Sequence, residues 1–199
     1  MSQADRLKWD DRYRSGAYAD REYPAQLLAE WEPKLARGRA LDVACGAGRN
    51  SLFLAAAGWQ VDAIDISPVG LARAEETASS RGLKVRWIEA DLEVDPIPVL
   101  PPGPYDLIVM TRYVNRPLLP LLPERLACDG VLLCEQHVDS ADDVSGPKSP
   151  RFRMRANELL RVVAGTADQR VLYYREGLVT DPDGRNAALA QLVTRRECH

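Results

Sequence analysis

The sequence predicts an α/β protein: a mostly parallel sheet with helices on both faces, finished by an antiparallel hairpin and preceded by a helical cap. Three observations predict it. From Arg39 onward, short apolar runs ending in turn residues alternate with segments of helical period, the pattern of repeating strand-helix-strand units. Near the end of the chain that alternation stops. Two strand-like runs, 170–179 and 187–195, flank the turn Asp181-Pro182-Asp183-Gly184 and read as a tight hairpin. Ahead of Arg39, Trp9, Tyr13, Leu27, Leu28, Trp31 and Leu35 lie among charges, and Gly16, Pro24 and Pro33 cut the stretch into short helical pieces.

The elements follow in order. Strand 1 is expected at 40–45 and the next helix at 49–57, with Gly58 suited to the left-handed position that ends a helix. Strand 2 runs over 60–65. Ser67 and Pro68 form an N-cap and a first-turn proline for a helix to residue 80, stopped at Gly82. Strand 3 is 84–89, and a proline-rich connection at 96–104 leads to strand 4 at 105–110. A short helix is expected at 117–126, despite its prolines, before strand 5 at 131–136. Residues 139–151, polar and rich in glycine and proline, predict a mobile loop, and 156–164 a helix.

The composition is that of an ordinary globular protein, 46% hydrophobic and 28% charged with a net charge of −3, which gives no general attraction for nucleic acid or anionic lipid. One domain is expected, with residues 1–37 as the cap and 38–199 as the core. No apolar run approaches the ~20 residues of a membrane span, and the polar start lacks a signal peptide's apolar centre, so the expected location is the cytoplasm. Cys45, Cys128, Cys134 and Cys198 show no paired spacing, which predicts reduced, mostly buried thiols. With His137 and His199 as the two histidines, no metal site is expected.

Chemistry concentrates at the carboxyl ends of the first three strands. Cys45-Gly46-Ala47-Gly48 joins strand 1 to a helix start, whose backbone N–H groups favour an anion and whose glycines admit close approach; the alternative is a merely tight turn. Asp42 lies inside an apolar strand, where a carboxylate needs a partner: a ligand's amino group, or N–H groups of the glycine loop. Asp65 ends strand 2, placed to accept two hydrogen bonds from a ribose diol. Asp91 follows strand 3, placed to accept from an adenine amino group while Leu92 packs on the ring. Together they imply a ligand with an anionic group, a ribose and an adenine.

The segments Leu41 to Asn50, Asp62 to Asp65 and Ala90 to Leu92 resemble the motifs of class I S-adenosylmethionine-dependent methyltransferases, most closely the tellurite-resistance and thiopurine methyltransferase-like branch. Trp9-Asp10-Asp11-Arg12-Tyr13 with Gly16 resembles the segment that covers the cofactor there, and 157–161 and 189–196 resemble its carboxyl end. The resemblance implies a Rossmann-like seven-stranded sheet of order 3-2-1-4-5-7-6 with strand 7 antiparallel. S-Adenosylmethionine would be the cofactor and S-adenosylhomocysteine the product. The implied cofactor residues are Trp9, Tyr13, Asp42, Ala44, Gly46, Gly48, Asn50, Asp65, Ile66, Asp91, Leu92 and Thr111. The chain departs from tellurite-acting members, which carry a His-Arg pair before the final turn, in reading Gly177-Leu178-Val179-Thr180.

Methyl transfer from a sulfonium is an in-line displacement, so alignment and exclusion of water matter most, and a base is needed only for some acceptors. His137, just past strand 5, is the candidate base, against an ordinary hydrogen-bonded histidine. After strand 4, Arg112 and Arg116 are candidates for orienting an anionic acceptor and Tyr113 for lining the pocket, the alternative for Arg116 being simple surface exposure. Arg151, Arg153 and Arg155 read as a basic loop edge. The predicted activity is methylation of a small molecule by a monomer or homodimer, without nucleic-acid or membrane partners. The alternatives are an NAD(P)-dependent oxidoreductase, whose Gly-x-Gly turn and acidic residue are similar, and a noncatalytic S-adenosylmethionine-binding protein.

Overall fold

Glycine and proline punctuate the chain where the helices and strands change over. In a computed structural model, which describes residues 3–16, 21–93, 100–166 and 168–198, Gly58 and Gly82 follow their helices with φ of 95° and 65°. Ser67 accepts from the Gly70 N–H at 3.1 Å, with Pro68 opening the helix. The chain divides into two compact units, Met1–Pro102 and Gly103–His199. The strand order is β3-β2-β1-β4-β5-β7-β6, the first three strands in the first unit and the rest in the second.

The first unit comprises helices α1 (Gln3–Arg14), α2 (Gln26–Trp31), α3 (Arg49–Ala56) and α4 (Pro68–Ser80) and strands β1 (Arg39–Val43), β2 (Gln60–Asp65) and β3 (Val85–Glu89). Its three strands are parallel. The register sets Val43 beside Ile64 and Ile64 beside Ile88, so the carboxyl ends of all three stand level. Leu41, Val43, Ala63 and Ile64 are buried, as expected where helices cover a parallel sheet on both faces. Part of the proline-rich connection, 94–99, lies outside the described residues.

The second unit comprises β4 (Tyr105–Thr111), β5 (Leu126–His137), α5 (Glu158–Ala164), β6 (Gln169–Thr180) and β7 (Asn186–Arg196). β4 and β5 are parallel, and β7 runs antiparallel between β5 and β6. β5 begins earlier than its apolar run suggests. Tyr105 pairs with Leu126 but Leu107 with Val131, so the turn-like Ala127 to Gly130 forms a bulge inside the strand.

Three expectations are corrected. The helix expected at 117–126 is instead two 3-10 turns, Leu119–Leu121 and Pro123–Arg125, because Pro117, Pro120 and Pro123 lack the N–H groups an α-helix needs and clash with its preceding turn. The segment 139–151 is braced rather than loose. Arg153 Nε donates to the Pro147 carbonyl at 2.7 Å and its Nη1 to that of Val138 at 2.9 Å, while Ser145 N and Oγ both donate to Asn186 O at 2.8 Å. Finally, Cys128 and Cys198 form a disulfide with Cα atoms 5.6 Å apart, across a sequence separation of 70 that conceals the pairing. Cys45 and Cys134 are the buried thiols foreseen, and burial pushes the pKa of both upward, that of Cys134 to about 12. Among the described residues no helix is long and apolar enough to cross a membrane.

Candidate active site

β1 ends in a loop that only permissive backbone can form. Ala44, Gly46 and Gly48 all have positive φ, at 56°, 59° and 77°. At Gly48 a Cβ would lie 2.8 Å from both Ala74 Cβ and Trp87 Cη2, so glycine lets α3 and α4 close over the sheet. Gly48 is also the N-cap of α3, which carries no side-chain cap and no acidic residue in its first turn. That leaves the helix start suited to an anion.

Asp65, at the end of β2, holds this loop. Its Oδ2 accepts from Gly46 N at 2.8 Å and its Oδ1 from Ser67 N at 2.9 Å. Burial raises the carboxyl pKa, and these N–H groups oppose that shift. An ionised carboxylate offers about four lone-pair positions, more than the backbone N–H groups of Gly46, Ile66 and Ser67 occupy. Asp91 Oδ1 accepts from Glu93 N at 2.8 Å, an Asx turn after β3, and Leu92 is buried. Ile66 is buried beside Asp65.

Asp42 is enclosed within β1, and its Oδ2 accepts from Ser51 Oγ at 2.6 Å. Its partner is thus a hydroxyl on α3 rather than the glycine loop. Burial drives its pKa to about 7, aided by Asp65 and opposed by Ser51 and Arg49. Asn50 Oδ1 accepts from Ala25 N at 2.9 Å, pinning the entry to α2.

α1 lies on the same loop. The Tyr13 hydroxyl touches the space a Gly46 Cβ would fill, and its ring edge lies 2.9 Å from the corresponding point at Gly70. Asp10, buried, accepts from Ser67 Oγ at 2.5 Å. Trp9 stacks on Tyr13 with centroids 6.1 Å apart and carries the Arg12 guanidinium 4.8 Å from its centroid. Sequence reasoning gave Ser67 only as a helix cap and Asp10 only as part of the cap motif, and assigned Ser51 and Gly70 no role at this loop. A legible signal existed for Asp10, which adjoins Trp9 in the motif.

In the second unit, Thr111 ends β4 and Arg112 turns the chain with φ of 57°. Arg112 does not present a free cation. Nη1 and Nη2 donate to Asp181 at 2.7 and 2.6 Å, and Nε to Glu135 Oε1 at 3.2 Å. Burial lowers the guanidinium pKa, but the pairing with Asp181 and Glu135 wins and raises it. Tyr113 accepts from Asn115 Nδ2 at 3.2 Å. Arg116 is held by Glu158 and by the Arg151 and Arg153 carbonyls. His137 is the last residue of β5 and buried. Gly146 packs against its ring, where a Cβ would come within 2.5 Å of Cε1.

Residues 40–125 match the family model described as methyltransferase domain. Among particular relatives, the ribosomal RNA small subunit methyltransferase C of Alcanivorax borkumensis is 34% identical over 101 residues, 48% of this chain and 31% of the relative. The chain spans about a third of the length of the curated relatives it matches. In fold it is similar to TehB from Haemophilus influenzae, with a TM-score of 0.72 and 24% identity over 94% of this chain and 67% of that one. It is also similar to coclaurine N-methyltransferase bound to N-methylheliamine and SAH, with a TM-score of 0.61 and 16% identity over 85% and 71% of the two chains.

Proposed function

We propose that the protein transfers the methyl group of S-adenosylmethionine to a small-molecule acceptor by direct in-line displacement. The observation that carries this reading is the level edge of the first unit, where the uncapped start of α3, Asp65 and Asp91 follow three adjacent parallel strands. Gly46 and Gly48 would border the methionine part, Asp42 would lie near its amino group, Asp65 would accept from the ribose hydroxyls and Asp91 from the adenine amino group. Trp9 and Tyr13 would cover it, and Ala44, Ile66, Leu92 and Thr111 would complete the surroundings. Asn50 acts through its hold on Ala25.

S-Adenosylmethionine supplies a methyl group already activated by its sulfonium, so the protein's work is to bind, orient and exclude water. His137 is the proposed base for acceptors that must lose a proton, with Tyr113 lining the acceptor side. The net charge of −3 and the internal pairing of Arg112, Arg116 and Arg153 favour a small acceptor over a polyanion. A nicotinamide oxidoreductase is disfavoured because dinucleotide folds use the order 3-2-1-4-5-6, without an antiparallel strand between the last two. We place the protein in the cytoplasm.

The test has two arms. Titration with S-adenosylhomocysteine should show saturable binding that Asp65→Ala weakens at least tenfold with its circular dichroism unchanged. Turnover is screened on 2-mercaptoethanol, benzylamine, catechol and selenite. Absence of binding at millimolar ligand would overturn the cofactor assignment, and binding without turnover would favour the noncatalytic alternative.

A further inference from the structure

Four polar residues meet in the interior of the second unit: Arg112 after β4, Glu135 in β5, Asp181 in the β6–β7 turn and Gln191 in β7. The three side chains other than Arg112 are at least nine-tenths buried, and Arg112 exposes 12%. Their bonds form one chain. Gln191 Nε2 donates to Glu135 Oε2 at 2.9 Å, Arg112 Nε donates to Glu135 Oε1, and the guanidinium fork closes on both oxygens of Asp181. The Arg112 backbone also donates to the Glu135 carbonyl at 2.6 Å.

This cluster sits at one edge. β4 and β5 are parallel, so Thr111 and Glu135 stand together near their carboxyl ends. β7 runs the other way and pairs Leu189 with His137, while β6 pairs Gly177 with Leu189, which brings the β6–β7 turn to that same end. The turn closes on Asp181, whose N–H donates to Arg185 O and whose carbonyl accepts from Gly184 N, each at 2.8 Å. Arg112 is held in a left-handed conformation that non-glycine residues leave when nothing restrains them, and such residues concentrate where a loop must be held in one place. A bidentate pair fixes direction as well as distance, which a single charge contact does not.

We propose that Asp181 is a positioning residue for methyl transfer: by gripping Arg112 it fixes the segment 111–115, and with it Tyr113, on the acceptor side. The proposal rests on the methyltransferase reading above. Asp181 touches no reacting atom. It acts through Arg112, and Glu135 and Gln191 form the bed on which that side chain lies.

Asp181→Asn keeps the shape and removes the charge-paired fork, and Arg112→Lys keeps the cation and removes its second arm. Amide hydrogen exchange across 111–116 should quicken at least tenfold in both, with 131–136 unchanged. On whichever of 2-mercaptoethanol, benzylamine, catechol and selenite the wild type methylates fastest, kcat should fall at least tenfold. KM for S-adenosylmethionine should move less than threefold, and Asp181→Glu should recover part of kcat. Unchanged exchange at 111–116 overturns the proposal, as does unchanged kcat. A matched loss of kcat, cofactor affinity and melting temperature also overturns it by showing a purely structural role. Failure of the wild type to bind S-adenosylhomocysteine sinks the methyltransferase reading instead, and leaves the exchange result to decide the clamp. Should Asp181→Asn fail to fold, Arg112→Lys and Asp181→Glu carry the same comparison.

Discussion

Replacing Asp42 by Asn should make the protein more stable and worse at holding its cofactor. The carboxyl is enclosed with one hydroxyl partner, Ser51, and its pKa stands at about 7 against an ordinary 3.8. Between those values the folded protein keeps a proton that the unfolded chain releases. Stability therefore declines as pH rises from about 4 to about 7 and is level above. A displacement of roughly 3 pH units corresponds to about 4 kcal/mol lost by neutral pH. Asn cannot ionise, and its Oδ1 still accepts from Ser51. The variant should match the wild type at pH 4 and exceed it at pH 8 by up to about 4 kcal/mol, which is roughly 8–16 °C in melting temperature for a chain of this size. Removing a carboxylate from the methionine amino group should weaken S-adenosylhomocysteine at pH 8 by about 10- to 100-fold, the worth of a charged hydrogen bond of ~1.5–3 kcal/mol. Thermal melts at both pH values and calorimetric titration measure the two effects. An equal melting difference at pH 4 and pH 8 would refute the argument from burial, and unchanged affinity would refute the amino-group contact.

Other consequences follow from backbone and close contacts. Ala44→Gly relieves a left-handed alanine worth about 1–2 kcal/mol against a glycine entropy cost of about 0.5–1, so the melting temperature should rise by a few degrees. Gly48→Ala meets Ala74 and Trp87 at 2.8 Å in an unfavourable backbone conformation and should lose roughly 2–5 kcal/mol in a denaturant melt. Gly146→Ala presses on the His137 ring and should destabilise by roughly 1–3 kcal/mol; adding His137→Ala should return part of that loss, a coupling that a double-mutant cycle measures.

Much of the first unit was legible because its physics is local. Strand ends, the Ser67 cap, Gly58 and Gly82, and the carboxylate closing β2 depend on residues a few positions apart, so sequence spacing carries them. The second unit depends on contacts between distant residues. The bulge in β5 looks like a turn when read alone, because only Tyr105 and Leu107 in β4 define it as strand. The disulfide joins residues 70 positions apart. The segment 139–151 has the composition of a free loop, yet Arg153, and Arg116 from after β4, fasten it through backbone carbonyls that carry no sequence signature.

The same distinction explains why the arginines were the hardest residues to read. Arg112 and Arg116 were visible as cations near an expected acceptor site, where a cation suggests an anion to bind, and Arg153 as part of a basic loop edge. Their partners proved to be Asp181, Glu158 and a set of main-chain carbonyls, none adjacent in sequence. A buried guanidinium must have its charge and several donors met, so a strand-end arginine in a chain with buried carboxylates is as readily a brace as a ligand site. A signal for that outcome was present: Glu135 stands in the apolar run Val131 to Cys134 and beyond, and Gln191 in the equally apolar run of β7, both positions that demand a polar partner. In the proposed reading the acceptor side is built from side chains that hold one another, and its selectivity would come from the shape of the loops they hold.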